Sequence, residues 1–245
     1  MNRLIYLVVL VSVTYAEIGE DEEDAIINGN LAEIEDFPYY AFIARNGRLH
    51  CGGVFIEKDL VLTAAHCLKH QEITVYAGIT KLSNLRKAKV YEAKYIRPHH
   101  KYFVNRDAAD DIGLIRLKEK IKLGKKAQLI SLPTEAPPIG EAGTVVGFGI
   151  VKCKGSIQCY QYSRSSKHLR YADLVFESIE KRGVLRTRSD DKKNTCYGDS
   201  GGPIVYNGTV VGLVSSGEFG DCTGYDTQAP VAANLDWIRE TSSLM

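Results

Sequence analysis

The sequence predicts an all-β protein built from antiparallel barrels or sandwiches. Three observations point to this fold class: many short β-rich runs cut by turn signals, Asn-Gly pairs at the centre of two of them, and only one helical-looking stretch, at the C-terminus. Alternating helices, which a parallel α/β sheet needs as crossovers, are not suggested.

The elements follow in chain order. YYAFIARNGRLHCGGVFI (39–56) reads as two strands around Asn46-Gly47, residues that reach the positive φ of a tight hairpin turn. LVLTAA (60–65), ITVYAGI (73–79), IGLIRL (112–117) and GTVVGFGIV (143–151) continue the pattern of short apolar runs. GPIVYNGTVVGLVSS (202–216) is a second hairpin, turning at Asn207-Gly208. NLDWIRETSS (234–243) is the helical tail. The proline-rich LPTEAPPIG (132–140) fits a crossing between two halves, which places the barrels at roughly 26–125 and 126–235 within a domain of 26–245.

The first 25 residues differ from the rest. Arg3, the apolar LIYLVVLVSV (4–13) and the small residues Thr14 and Ala16 form a secretory signal peptide over 1–16, too short to span a membrane. Residues 17–25, EIGEDEEDA, hold six acids in nine residues, a solvated propeptide that cannot bury enough apolar surface to order itself. Residues 1–25 carry Arg3 and six acids, net −5, so the chain's formal +1 becomes +6 on 26–245. That modest excess is scattered, without interleaved aromatics, and excludes nucleic acid as an expected partner; no membrane contact is expected either. The chain is read as secreted and monomeric. In such a compartment six cysteines read first as three disulfides, with fifteen possible pairings.

NTCYGDSGGPIV (194–205) carries the chemistry. Gly198, Gly201 and Gly202 surround Ser200, with Asp199 beside it. A serine hydroxyl becomes a useful nucleophile only with a base to take its proton and donors to hold the resulting oxyanion. Backbone N–H groups of Gly198 and Ser200 can be those donors if side chains do not crowd them. Among six histidines, His66 stands at the end of an apolar strand beside Cys67, whereas His99 and His100 fall in the polar RPHHKYF. Asp111, immediately before IGLIRL, is the matching carboxylate; Asp107 and Asp110 are expected to be solvated.

TAAHC, DIGLIRL and GDSGGP, in this order, resemble the trypsin/chymotrypsin family of serine proteases, whose His–Asp–Ser order differs from that of other triad folds. IING (26–29) and SSG (215–217) extend the resemblance to residues 26–240. The resemblance implies a chymotrypsin-like fold, two six-stranded antiparallel barrels with a short C-terminal helix. It implies Ser200 as nucleophile, His66 as proton shuttle, Asp111 as the group orienting it, and Gly198 and Ser200 as oxyanion hole. No cofactor and no metal are implied, and GITKLSNLRKAKVYE (78–92) is basic where a calcium loop needs carboxylates.

The resemblance also implies an activation latch, in which cleavage before Ile26 frees an ammonium that pairs with Asp199. Ala25 departs from the usual Arg or Lys at that junction, so either an activating protease other than a trypsin-like one cuts there or the junction lies elsewhere. Cys51–Cys67 and Cys196–Cys222 match the family; Cys153 and Cys159 do not, and would close the small ring CKGSIQC. Asn194, Thr195, Ser215, Gly217 and Asp226 are implied as the substrate pocket. Asn194 stands where an aspartate would select Arg or Lys, and Ser216 replaces an aromatic. An inward Asp226 would let basic residues be accepted; an outward one would leave an apolar or amide preference. The expected function is a secreted serine endopeptidase of chymotrypsin-like or broad specificity, made as a precursor, with protein or peptide substrates and protease inhibitors as partners. The competing reading is a catalytically silent homologue acting as a binding or regulatory module. Asn207-Gly-Thr is a glycosylation acceptor at a hairpin tip.

Overall fold

The computed structural model describes residues 26–69, 72–150 and 165–245. Cys153 and Cys159 lie outside the described residues, as do the signal and acidic segments. A two-residue strand, β1 (Asn30–Leu31), precedes two closed six-stranded antiparallel barrels. The first contains β2 (Tyr40–Arg45), β3 (Arg48–Glu57), β4 (Leu60–Thr63), β5 (Ile73–Ala77), β6 (Val90–Pro98) and β7 (Gly113–Leu117), closed in the order β2-β3-β4-β7-β6-β5. The second contains β8 (Ala142–Gly147), β9 (Arg170–Ile179), β10 (Leu185–Arg188), β11 (Pro203–Tyr206), β12 (Thr209–Gly217) and β13 (Asp226–Pro230). It repeats the cyclic order as β8-β9-β10-β13-β12-β11, with β11 and β9 both pairing β8.

Local chemistry accounts for the hairpins. Asn46 and Gly47 have φ of 53° and 71°, and Asn207 and Gly208 have 45° and 72°, so both Asn-Gly pairs turn with two successive positive φ values. That geometry matches the right-handed twist of the strands on either side. Asn207 is exposed at its tip. Alternate residues fill each barrel: Phe55, Val61, Val75 and Ile115 in the first, Val145, Leu174, Phe176 and Ile204 in the second. A third cluster, with Leu62, Ile112 and Leu114 from one barrel and Val210, Leu213 and Ala229 from the other, cements their junction.

The segments flanking the two barrels do not stay with the nearer one. Residues 26–31, grouped by sequence with the first barrel, lie on the second: Ile27 bridges Asn194, β1 pairs with β9, and Arg170 Nη1 donates to Gly29 O at 2.9 Å. Conversely, the C-terminal helix returns to the first barrel. That helix, α2 (Leu235–Ser243), buries Ile238 in the junction cluster, and Arg116 on β7 donates to its Ser242 carbonyl at 2.9 Å. A short helix the sequence did not announce, α1 (Tyr102–Asn105), sits in the β6–β7 connection.

Candidate active site

The first barrel presents a histidine and a carboxylate at one rim. His66 lies in a 3₁₀ turn, Ala65–Leu68, directly after β4, and the adjacent Cys67 is bonded to Cys51 on β3. Asp111 follows a second such turn, Ala108–Asp110, just before β7. Its Oδ2 lies 2.7 Å from His66 Nδ1, and its Oδ1 accepts from the His66 backbone N–H at 2.9 Å. Two contacts on one carboxylate set both the backbone and the ring of the histidine. The Asp111 side chain is 0% exposed and that of His66 28%, so the pair is sealed on the carboxylate side and open on the other. Cys51 Sγ and Cys67 Sγ converge with His66 within 4.8 Å, yet the sulfurs are bonded to each other and offer no thiolate to a metal.

The second barrel brings the serine loop to the same rim. Ser200 precedes β11 in a turn whose amides are mostly committed: Asp199 N donates to Cys196 O at 3.0 Å, Gly201 N to Val214 O at 2.7 Å, Gly202 N to Asp199 O at 2.9 Å. Among the described residues, the N–H groups of Gly198 and Ser200 have no protein acceptor. His66 and Ser200 line one cleft of about 370 Å³, without a hydrogen bond between hydroxyl and imidazole. In substrate-free sites such bonds are often long and tighten on binding.

The glycines around Ser200 have two different reasons. Gly198 has φ of 101°, a conformation only glycine adopts readily, and a Cβ there would meet Leu49 at 3.0 Å. Gly201, at φ 73°, faces the first barrel instead: a Cβ would lie 2.2 Å from Thr63 Oγ1 and 2.7 Å from Gly52 O. Part of the glycine content therefore serves close approach of the two barrels, reinforced by Gly52 N donating to Ser200 O at 2.8 Å.

Asp199 is buried, its Oδ1 accepting from Gly149 N at 2.8 Å and its Oδ2 from Cys196 N at 3.0 Å. Burial raises its pKa from 3.8 to about 7 against the pull of those two amides, with the nearby Asp226 adding to the rise. Gly147 and Gly149 make room for it, since a Cβ at either would stand 2.1 Å from a carboxylate oxygen. Ile26 is 0% exposed, in a cluster with Val145, Ala172 and Phe176, and takes φ of 44°, an outlier for a β-branched residue.

Five residues were expected to form the substrate pocket, and the structure splits them. Thr195, Ser215 and Gly217 line the cleft, joined by Val214, Phe219, Tyr197 and the Cys196–Cys222 disulfide. Asn194 and Asp226 stand one layer behind that wall. Asn194 donates to Gly224 O at 2.8 Å and faces a separate cavity with Ile27 and Tyr225. Asp226 neither faces the pocket nor turns to solvent: it is buried behind the wall, 1% exposed, accepting from Thr195 N at 2.9 Å. Burial lifts its pKa to about 7, although hydrogen bonds from Thr195 and Asn194 oppose the rise. Ser215 does something the sequence did not suggest: its Oγ donates to Asp111 Oδ2 at 2.6 Å, tying β12 to the carboxylate of the other barrel.

Two further expectations are corrected. Asp110 is not solvated but 1% exposed, because Arg182 supplies its counter-charge; Asp107, also paired with Arg182, is half-buried. His99 does lie in the connection after β6, but it is buried there, 5% exposed and packed on Trp237 at 4.9 Å between ring centroids. Nothing in the local sequence marks Arg182, whose partners lie 72 and 75 residues away.

Two antiparallel barrels with a histidine–aspartate pair from one and a glycine-bound serine from the other define a protein of chymotrypsin-like architecture. Residues 26–238 match the Trypsin family, and the chain belongs to it. Among its relatives, human kallikrein-7 is 31% identical over 96% of this chain and 94% of its own length. Bovine duodenase-1 is 31% identical over 98% and 96%. Among solved structures, mouse neuropsin superposes with a TM-score of 0.78 at 27% identity, covering 89% of this chain and 100% of its own. The chain is accordingly a serine endopeptidase, a hydrolase of peptide bonds.

Proposed function

We propose that the chain is a secreted endopeptidase that cleaves through an acyl-enzyme on Ser200 and is made as a precursor. The observation that carries this reading is the His66 Nδ1–Asp111 Oδ2 contact of 2.7 Å opening onto the cleft that also holds Ser200. Asp111 fixes the ring so that Nε2 faces the cleft, and it steadies the imidazolium that forms when Ser200 gives up its proton. The uncommitted N–H groups of Gly198 and Ser200 receive the oxyanion; a donor of this kind is worth about 10²–10³ in rate. His66 then returns the proton to the leaving amine, and water repeats the sequence on the acyl group.

Specificity follows from the wall of the cleft. Among the described residues no carboxylate lines it, and Val214, Tyr197, Phe219 and the disulfide favour an apolar or aromatic side chain. Asp226, buried behind Thr195, gives a weaker and pH-dependent acceptance of basic side chains. The signal segment 1–16 directs export, and removal of 17–25 frees Ile26 to pair with Asp199, organising the loop that carries the oxyanion donors. A silent binding module is disfavoured, since it has no physical need for two uncommitted amides beside a hydroxyl.

A serine-directed phosphonate tests the reading. The chain beginning at Ile26 should be labelled once, at Ser200, while the form still carrying 17–25 should not. Ser200→Ala should lower kcat by about 10⁶. Efficient turnover by Ser200→Ala, or no labelling of the chain beginning at Ile26, would refute it.

A further inference from the structure

Asp111 lies in the first barrel and Ser200 in the second, so catalysis needs the two barrels held in register at the Asp111 loop. Ser215 provides one crossing tie. A second and more elaborate one grips the residue immediately before Asp111. Arg182, in the turn between β9 and β10 of the second barrel, places Nη1 at 2.9 Å from Asp110 Oδ2 and Nη2 at 2.6 Å from Asp110 Oδ1. The same Nη1 reaches Asp107 Oδ2 at 2.8 Å, while Asp107 Oδ1 accepts from Ala109 N at 2.9 Å. Asn234 adds a bond from its Nδ2 to Ala109 O at 2.9 Å, and His99 Nδ1 stands 3.6 Å from Asp110 Oδ1. The whole 107–110 turn is thus held from the second barrel and from the segment leading into α2.

Three features set this apart from an ordinary surface ion pair. Asp110 is 1% exposed, so its charge is tolerable only with a fixed counter-ion. The contact is a two-pronged guanidinium–carboxylate fork, which fixes orientation as well as distance. Arg182 itself takes φ of 63°, in a turn where Asn or Gly would be the comfortable choice. An unfavourable backbone at a long charged residue points to a need for the side chain. Asp111 N and Ile112 N are bonded back to Ala108 O and Asp110 O, so any displacement of the 107–110 turn moves the Asp111 carboxylate directly.

We propose that Arg182 is a positioning residue for the hydrolytic reaction, clamping Asp110 and Asp107 across the barrel junction so that Asp111 holds His66 in line with Ser200. This rests on the peptidase reading of the same site. The test uses the mature chain with Arg182→Gln, Arg182→Lys and the double variant Asp110→Asn/Arg182→Gln, the last removing both charges so that no buried carboxylate is orphaned. Turnover is normalised to phosphonate-titrated sites, which discounts misfolded protein, on a single-residue ester and on a tetrapeptide amide. Arg182→Gln should lower kcat about tenfold or more on both substrates, with KM within about twofold, in keeping with the sensitivity of catalysis to small displacements. Arg182→Lys, which keeps the charge but cannot form the fork, should recover only part of the loss. The double variant should regain the wild-type melting temperature yet keep the low kcat.

A second readout does not depend on turnover: the far-downfield proton resonance of the His66 Nδ1–H···Asp111 bond should persist in wild type, weaken in Arg182→Lys and broaden away in the double variant. Should the double variant recover kcat along with stability, or keep that resonance unchanged, the role is structural only and the proposal fails. A loss confined to KM for the tetrapeptide would overturn it equally, by making the turn a substrate-subsite wall. Wild type that is inert and unlabelled refutes the peptidase reading instead, and the resonance still decides the clamp.

Discussion

Asp226 and Asn194 show how one position of depth decides what a residue does. In the sequence both could belong to the pocket surface; in the fold, Thr195 stands between them and the cleft, and Asp226 spends one oxygen on the Thr195 amide. A carboxylate so placed acts on a substrate through its field, and that field depends on ionisation. With its pKa raised to about 7, chiefly by burial, Asp226 is mostly neutral at pH 6 and mostly charged at pH 8. The ratio of kcat/KM for Arg over Phe substrates should therefore climb about tenfold across that interval. General-base ionisation is common to both substrates and cancels in the ratio. Asp226→Asn should give a ratio that is low and flat. A wild-type ratio independent of pH, or one that falls as pH rises, would show that the carboxylate is not felt in the cleft. The sequence offered Asp226 either facing the pocket or turned away from it, and its place behind Thr195 is neither; strand alternation through the aberrant CTGYDTQAPVA could not be phased without the bulge that shifts register between Val214 and Ser216.

At the scale of elements, the strands and their hairpins were legible because each signal is local: Asn-Gly pairs fix turns, and apolar runs mark strands. His66 and Asp111 were legible for the same reason, each sitting where an apolar strand meets a tight turn. The clamp was not, because Arg182 lies 72 residues from Asp110 and the two meet only when the barrels dock. The serine loop shows the same division. Its glycines were visible, but the reason for Gly201 is Thr63 and Gly52 on the other barrel. Gly201→Ala therefore meets two obstacles: a positive φ, costing about 1–2 kcal/mol, and a Cβ 2.2 Å from Thr63 Oγ1 that cannot be relieved without moving the Gly52 carbonyl at 2.7 Å as well. The expected outcome is a loss of at least about 3 kcal/mol of stability, with kcat reduced even among folded molecules because Ser200 is displaced. Denaturant melts with active-site titration check it. Wild-type stability and rate in the Gly201→Ala variant would show that the barrels can part slightly at no cost.

For the whole molecule, the segments flanking the barrels cross over: Ile26 and β1 dock on the second barrel, and α2 covers the first. Burying the Asp199 carboxyl in the second barrel ties global stability to pH, and the sign follows from linkage. The Asp199 carboxyl titrates near 3.8 when unfolded and at about 7 when folded in the uncleaved chain, because burial outweighs its two amide donors. Between those values the folded state holds a proton the unfolded state has lost, so stability falls as pH rises from about 4 to about 7. Three units correspond to at most about 4 kcal/mol. Carboxyls with lowered pKa, such as Asp110 beneath Arg182, work in the opposite sense, but only below about pH 4, where they protonate. The form carrying residues 17–25 should accordingly melt higher at pH 5 than at pH 8. Under the proposed latch, freeing the Ile26 ammonium should supply the missing counter-charge, lower the Asp199 pKa and flatten that slope; Asp226, similarly raised but untouched by cleavage, leaves a residual slope in both forms. Asp199→Asn in the uncleaved chain should flatten it by a comparable amount without cleavage. Calorimetry of the three proteins across this range separates the contributions. Equal slopes before and after cleavage would mean that the new terminus never reaches Asp199, and the buried carboxylate would then have to be organised by Gly149 and Cys196 alone.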